Sequence, residues 1–151
     1  MTKLVTVLLG LVLTNATFAA IPANVELPIV AVGLQKFTPS EDRPVVFRID
    51  ASQAKTSVSD TLHRLNGCTL EGIAHLEAKP QRIMITNTKI KCPTEAGTTK
   101  KPHEKPYEGR IKGQILGLDH RTGLRITCKY QPLCSLATLK DGETGYFLTS
   151  K

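Results

Sequence analysis

Between Gly67 and Ile126, apolar and polar positions alternate in short runs broken by turn residues, the pattern of successive β-hairpins. Arg82 to Cys92 alternates most cleanly, with Ile83 and Ile85 on one face and Met84, Ile90 and Cys92 on the other. Before it, Gly67-Cys68-Thr69-Leu70-Glu71-Gly72 leads into a strand over Gly72–Glu77, and Lys79-Pro80-Gln81 forms the intervening turn. After it, Tyr107 to Asp119 reads as a glycine-rich strand and Leu118 to Leu124 as a hairpin turn. Leu124, Ile126 and Cys128 then alternate with Arg125, Thr127 and Lys129.

The flanking segments obey the same grammar. Ile29-Val30-Ala31-Val32-Gly33-Leu34 is rich in β-branched residues and apolar on both faces, which predicts a buried strand. Lys36 to Arg43 reads as a turn or exposed loop. Pro44 to Ile49 reads as the next strand, with Pro at a first position where no ladder donor is needed. Asp50 to Asn66 fits either a short helix, capped by Ser52 or Ser57 with Val58, Leu62 and Leu65 on one face, or an irregular connection. Turns at Gln131-Pro132 and Asp141-Gly142 separate Leu133–Leu139 from Gly145-Tyr146-Phe147-Leu148, as one more hairpin requires. These elements predict an all-β fold, a small antiparallel β-barrel or sandwich of about seven to eight strands.

Glycine recurs at Gly109, Gly113 and Gly117. A phosphate loop is one reading, but no Gly-Lys-Ser/Thr comes after it and no helix is evident. The regular spacing instead keeps all three on one face of a strand. There they mark curvature or close approach of a neighbouring backbone, as in small barrels. Asp119 and Gly123 belong to the adjoining turn.

The N-terminus changes the picture of where the chain works. Met1-Thr2-Lys3 precedes an apolar run of ten residues, Leu4 to Leu13, whereas crossing a bilayer takes about 20. This predicts a signal peptide over residues 1–19, cleaved after Ala19 with Thr17 at the −3 position. Residues 20–151 are then a single β-rich domain, exported to the periplasm or cell envelope, with any membrane association through partners. Cleavage removes Lys3 and no acid, so a formal charge of +7 falls by one.

That basic balance is dispersed. Arg82, Lys89, Lys91, Arg110, Lys112, Arg125 and Lys129 mostly take every second position, which predicts one outward, solvated face of a sheet. Sheets that bind nucleic acid add aromatic platforms. Here Phe37, Phe47, Tyr107, Tyr130, Tyr146 and Phe147 are scattered and Trp is absent, so no nucleic-acid partner is expected. Residues 93–106 are almost devoid of apolar side chains and carry Pro93, Pro102 and Pro106, which predicts a mobile loop. Its Lys100, Lys101, His103 and Lys105 form a candidate partner-contact surface.

Four cysteines, Cys68, Cys92, Cys128 and Cys134, in a chain with an export signal predict two disulfides. Three connectivities are possible. Cys68–Cys92 is preferred because both lie in adjacent expected strands, with Cys128–Cys134 as a local clasp. Zinc is the competing reading, but no C-x-x-C pair is present and His63, His75, His103 and His120 fall at no ligand-like interval. No Gly-x-Ser-x-Gly or metal-ligand pattern is present either, so the expectation is a protein that is not an enzyme and uses no cofactor.

The order of these features resembles the periplasmic β-domain of the TraB/TrbI family, components of conjugative type IV secretion systems. The likeness runs over Gly33-Leu34, the Pro44–Ile49 strand, Cys68 with Gly72, and the Arg-initiated strand Arg82–Cys92. It ends on the Gly-rich stretch with Gly113, Gly117, Asp119, Gly123 and Leu124. Leu118 before Asp119 and Arg125-Ile126 in place of a final Gly depart from the pattern, and Cys128 to Lys151 has no counterpart in it. The resemblance implies a truncated relative acting as a structural or accessory part of a conjugation apparatus. Its partners would be other periplasmic or outer-membrane subunits or further copies of itself. The alternative is a stand-alone secreted binding module, an inhibitor or ligand-binding domain using the 93–106 loop.

Overall fold

A computed structural model describes residues 21–50, 65–92, 107–129 and 134–151. The expected leader, most of the 50–66 connection and the 93–106 loop, with Lys100, Lys101, His103 and Lys105, lie outside the described residues. Eleven strands and no helix make up the regular structure of the described chain, so the fold is all-β. They are β1 (Glu26–Ala31), β2 (Gln35–Phe37), β3 (Arg43–Ile49), β4 (Thr69–Glu77), β5 (Arg82–Cys92) and β6 (Tyr107–Arg110). The rest are β7 (Gly113–Leu116), β8 (Leu124–Arg125), β9 (Cys128–Lys129), β10 (Leu136–Leu139) and β11 (Thr144–Thr149).

The main sheet is antiparallel in the order β6-β5-β4-β3-β1-β11-β7, with β8 also on β5. Its two outermost strands, β6 and β7, are separated in the chain only by Ile111 and Lys112. The sheet therefore curls until its ends meet in one stretch, whose first half pairs with β5 and second half with β11. Backbone bonds carry the ladder across the join. Ile111 N–H donates to the Thr88 carbonyl at 3.2 Å, and Ser150 N–H donates to the Lys112 carbonyl at 3.0 Å. A small second sheet, β2-β10-β9, packs beside this barrel-like body.

The interior is apolar. Phe37, Phe47 and Phe147 are fully buried, as are Leu27, Ile29, Ile49, Leu70 and Ile83. Each such side chain contributes about 1.5–3 kcal/mol relative to exposure. Thr149, also buried, fastens the N-terminal segment: its hydroxyl donates to the Pro22 carbonyl at 2.6 Å and accepts from Val25 N–H at 3.0 Å.

Both expected disulfides form. Cys68–Cys92 bridges the residues flanking the open end of the β4–β5 pair, with Cα atoms 4.3 Å apart. Cys128–Cys134 ties β9 to the lead-in of β10, with Cα atoms 5.0 Å apart. Two disulfides place folding in an oxidising compartment.

Several expectations are corrected. Ile90 and Cys92 share the buried face with Ile83 and Ile85, because the β4–β5 register shifts between Glu71 and Ile73. Asn87, at φ 53°, supplies the extra residue of a bulge and inverts the side-chain parity of the second half of β5. β1 ends at Ala31 and is buried on one face only; Gly33 turns the chain at φ 81°, and Val32 and Leu34 are exposed. The 36–43 loop gives up Phe37 to β2, where it fills the core. The Gly109–Gly117 stretch is two strands rather than one. The Asp141-Gly142 turn joins no hairpin, since β10 belongs to the small sheet and β11 to the large one.

Candidate functional site

The site is built from the first residue of β5. The turn before it contains a cis Lys79–Pro80 bond and Gln81 at φ 64°. It delivers Arg82 with its side chain pointing inward, 6% exposed, rather than onto the solvated face expected for it. A buried guanidinium needs charge and acceptors. Asp119 accepts from both terminal nitrogens, at 2.8 Å and 2.7 Å, the forked geometry that suits arginine. The remaining capacity is filled by main chain: the carbonyls of Arg121 at 2.9 Å, Thr122 at 2.7 Å and Gly123 at 2.7 Å. The hydrogen bond from Arg82 holds Asp119 well below the usual carboxylate range, and the same bond raises Arg82.

Arg82 thus organises residues 117–123, and this segment is not the hairpin turn its residues suggest. β7 and β8 run parallel, with a bridge between Leu116 and Gly123, so the chain doubles back twice within the loop. Gly123 N–H donates to the Ile115 carbonyl at 2.8 Å and Gly117 N–H to the Arg121 carbonyl at 3.0 Å. The glycines make room for this. A Cβ on Gly117 would lie 2.8 Å from both an Arg82 nitrogen and an Asp119 oxygen. One on Gly123, at φ 81°, would lie 2.6 Å from the Met84 sulfur. Gly113 likewise abuts the Phe147 ring. Gly113 and Gly117, where curvature or close approach is expected, both meet neighbouring atoms closely, and so does Gly123, which the sequence places only in a turn.

From outside the loop is held by His120, whose Nδ1 is 3.2 Å from a Glu26 oxygen and whose ring stacks on Tyr146 at 5.0 Å. At its tip Leu118 is 64% exposed. Leu118 lines a cleft of about 620 Å³ with Leu124, Arg125, Ile126 and Glu143. That cleft shares Thr127, Gly142 and Glu143 with a second of about 610 Å³ running past β9 and β10. Together they form one shallow groove where the barrel meets the small sheet. Comparison with protein-family models gave no match, and comparison with curated proteins gave none.

Of the residues expected to matter, Gly117, Asp119 and Gly123 converge on this loop. Gly113 lies at the far end of β7 and Gly109 on β6. The four cysteines are structural. Charge alone points Arg82 to the wrong face. The signal that could have found it is its position: the first residue of an apolar strand directly after a turn, with one acid, Asp119, in a glycine-rich segment.

Proposed function

We propose that the protein is a non-enzymatic structural or accessory component of a conjugative type IV secretion apparatus, working in the periplasm by contact with other envelope subunits. One observation carries this reading. Residues that define the TraB/TrbI resemblance act as one structural unit although Arg82 lies far from the others in sequence: Arg82 grips Asp119, and Gly117 and Gly123 pack around that grip. The disulfide Cys68–Cys92, another pair in the resemblance, closes the strands that present Arg82. A loop held by so many internal bonds, with an apolar tip in solvent, is suited to contact, because its ordering cost is met before a partner arrives.

The test is photocrosslinking from position 118 in intact cells, with a photoreactive residue replacing Leu118, then detergent extraction and sizing of the envelope complex. The expected result is a crosslink to a secretion subunit and migration in a large assembly. A chain that crosslinks to nothing and migrates as a small soluble species would overturn the reading and favour a stand-alone secreted binder.

A further inference from the structure

Towards the other end of β5, the β5–β6 pair carries a charge arrangement that no acid among the described residues balances. Lys89 stands directly across from Arg110, and like charges at such positions destabilise a sheet. Lys112, two residues on, is exposed on the same side. The neighbouring charges on this face are resolved internally. Lys91 lies 3.0 Å from Glu71 and 3.9 Å from Glu108, so Glu71, the acid opposite Lys89 on β4, is already engaged. Among the described residues no acid pairs with Lys89, Arg110 or Lys112.

These three cations surround a cleft of about 580 Å³ that also takes in Asn87 and Ser150 and, among the described residues, has no carboxylate in its lining. The bulge at Asn87 and the chain join at Ile111–Lys112 set the walls. The Ser150 N–H bond to the Lys112 carbonyl holds Ser150 at the cleft wall. Arg presents a donor fork matched to phosphate oxygens, Lys adds point charges, and amide and hydroxyl groups supply neutral bonds.

We propose that this cleft binds a phosphate group through Lys89, Arg110 and Lys112, with Asn87 and Ser150 completing the donor set. The site does not rest on the assembly reading. It predicts that the cations cost stability when empty and repay it when a phosphate is bound, the signature of residues kept for binding.

The test uses the oxidised mature chain, melted in sodium phosphate and in sodium chloride at matched ionic strength. Phosphate is expected to raise Tm in proportion to the logarithm of its concentration above the dissociation constant. The amide resonances of residues 87–89, 110–113 and 150 are expected to shift on titration. The double variant R110Q, K112Q is expected to be at least as stable as the parent in chloride and to gain nothing from phosphate. Sedimentation with phosphatidylglycerol vesicles, lost in the double variant and absent with phosphatidylcholine, assigns the phosphate to a lipid headgroup. Phosphate-dependent stabilisation without vesicle binding assigns it to a soluble ester. Equal melting in phosphate and chloride, or an equal phosphate gain in the double variant, overturns the site.

Discussion

Replacing Arg82 by Met keeps a side chain of similar length and removes every donor from the loop grip. The consequences can be traced acceptor by acceptor. The carbonyls of Arg121 and Thr122 belong to exposed residues and recover water. The Asp119 carboxylate, 35% exposed as a side chain, also returns to solvent, so its loss is largely screened. The Gly123 carbonyl does not recover. It lies in a buried residue and takes two bonds from Arg82, at 3.1 Å and 2.7 Å. Leaving such an acceptor unpaired costs about 1–3 kcal/mol, partly offset because the guanidinium no longer has to be desolvated. The net expectation is a loss of about 2 kcal/mol, which for a chain of this size lowers Tm by about 8 °C. Thermal unfolding monitored by circular dichroism, with disulfides intact, measures it. Amide exchange over residues 117–123 should accelerate more than exchange in β3 and β4. R82K should fall between the parent and R82M, since one ammonium cannot serve a carboxylate and three carbonyls.

The grip also has a pH signature. Asp119 is held below its unfolded value by the Arg82 hydrogen bond. Its contribution to stability is therefore complete above the unfolded pKa of about 3.9 and is lost as pH falls through the folded one. The difference in Tm between the parent and D119N should be flat from about pH 5 to 8 and shrink below about pH 4. An R82M protein that melts within about 1 °C of the parent, with unchanged exchange in the loop, would refute the idea that Arg82 holds it.

Two further predictions concern the barrel and its staples. Gly113→Ala would set a methyl 2.5 Å from the Phe147 ring and closer still to the Leu148 carbonyl, so it should cost at least the about 1–3 kcal/mol of overpacking. Gly33→Ala meets open space and should cost only the about 1–2 kcal/mol of a left-handed backbone; equal losses in urea unfolding would contradict the packing argument. Removing Cys68–Cys92, which spans 24 residues, should destabilise by about 3 kcal/mol, and removing Cys128–Cys134, which spans 6, by about 2. Paired Cys→Ala variants in guanidinium titrations give that order, and the reverse order would mean that native packing rather than chain restriction sets the effect.

The all-β class and the cysteine pairing were legible because alternation and an even cysteine count report directly on sheet faces and oxidising compartments. The misreadings share a cause: each needed information from a non-local partner. Asn87 looks like any polar strand residue until Gly72 lies opposite it and the bulge flips Ile90 inward. Leu118–Leu124 has hairpin residues, yet the acceptors it turns toward Arg82 make it a parallel return. Phe37 sits in three residues of strand, too few to show a period, and is buried only because β10 pairs with them. Charge is the least reliable guide, since it groups Arg82 with exposed lysines although its burial depends on an acid many residues away.

The join at Ile111–Lys112 also limits how this molecule can be extended. Because the large sheet ends in two halves of one stretch, among the described residues it offers no full-length unpaired strand to a neighbour. The edges left for main-chain pairing with another protein are all short: β6 and β7 have four residues each, and the outer strands of the small sheet, β2 and β9, have three and two. Strands so short present few backbone donors and acceptors, a form of protection against uncontrolled polymerisation. A lattice of such subunits would have to be held by side chains, and its geometry would be set by surface loops rather than by continuous β-structure.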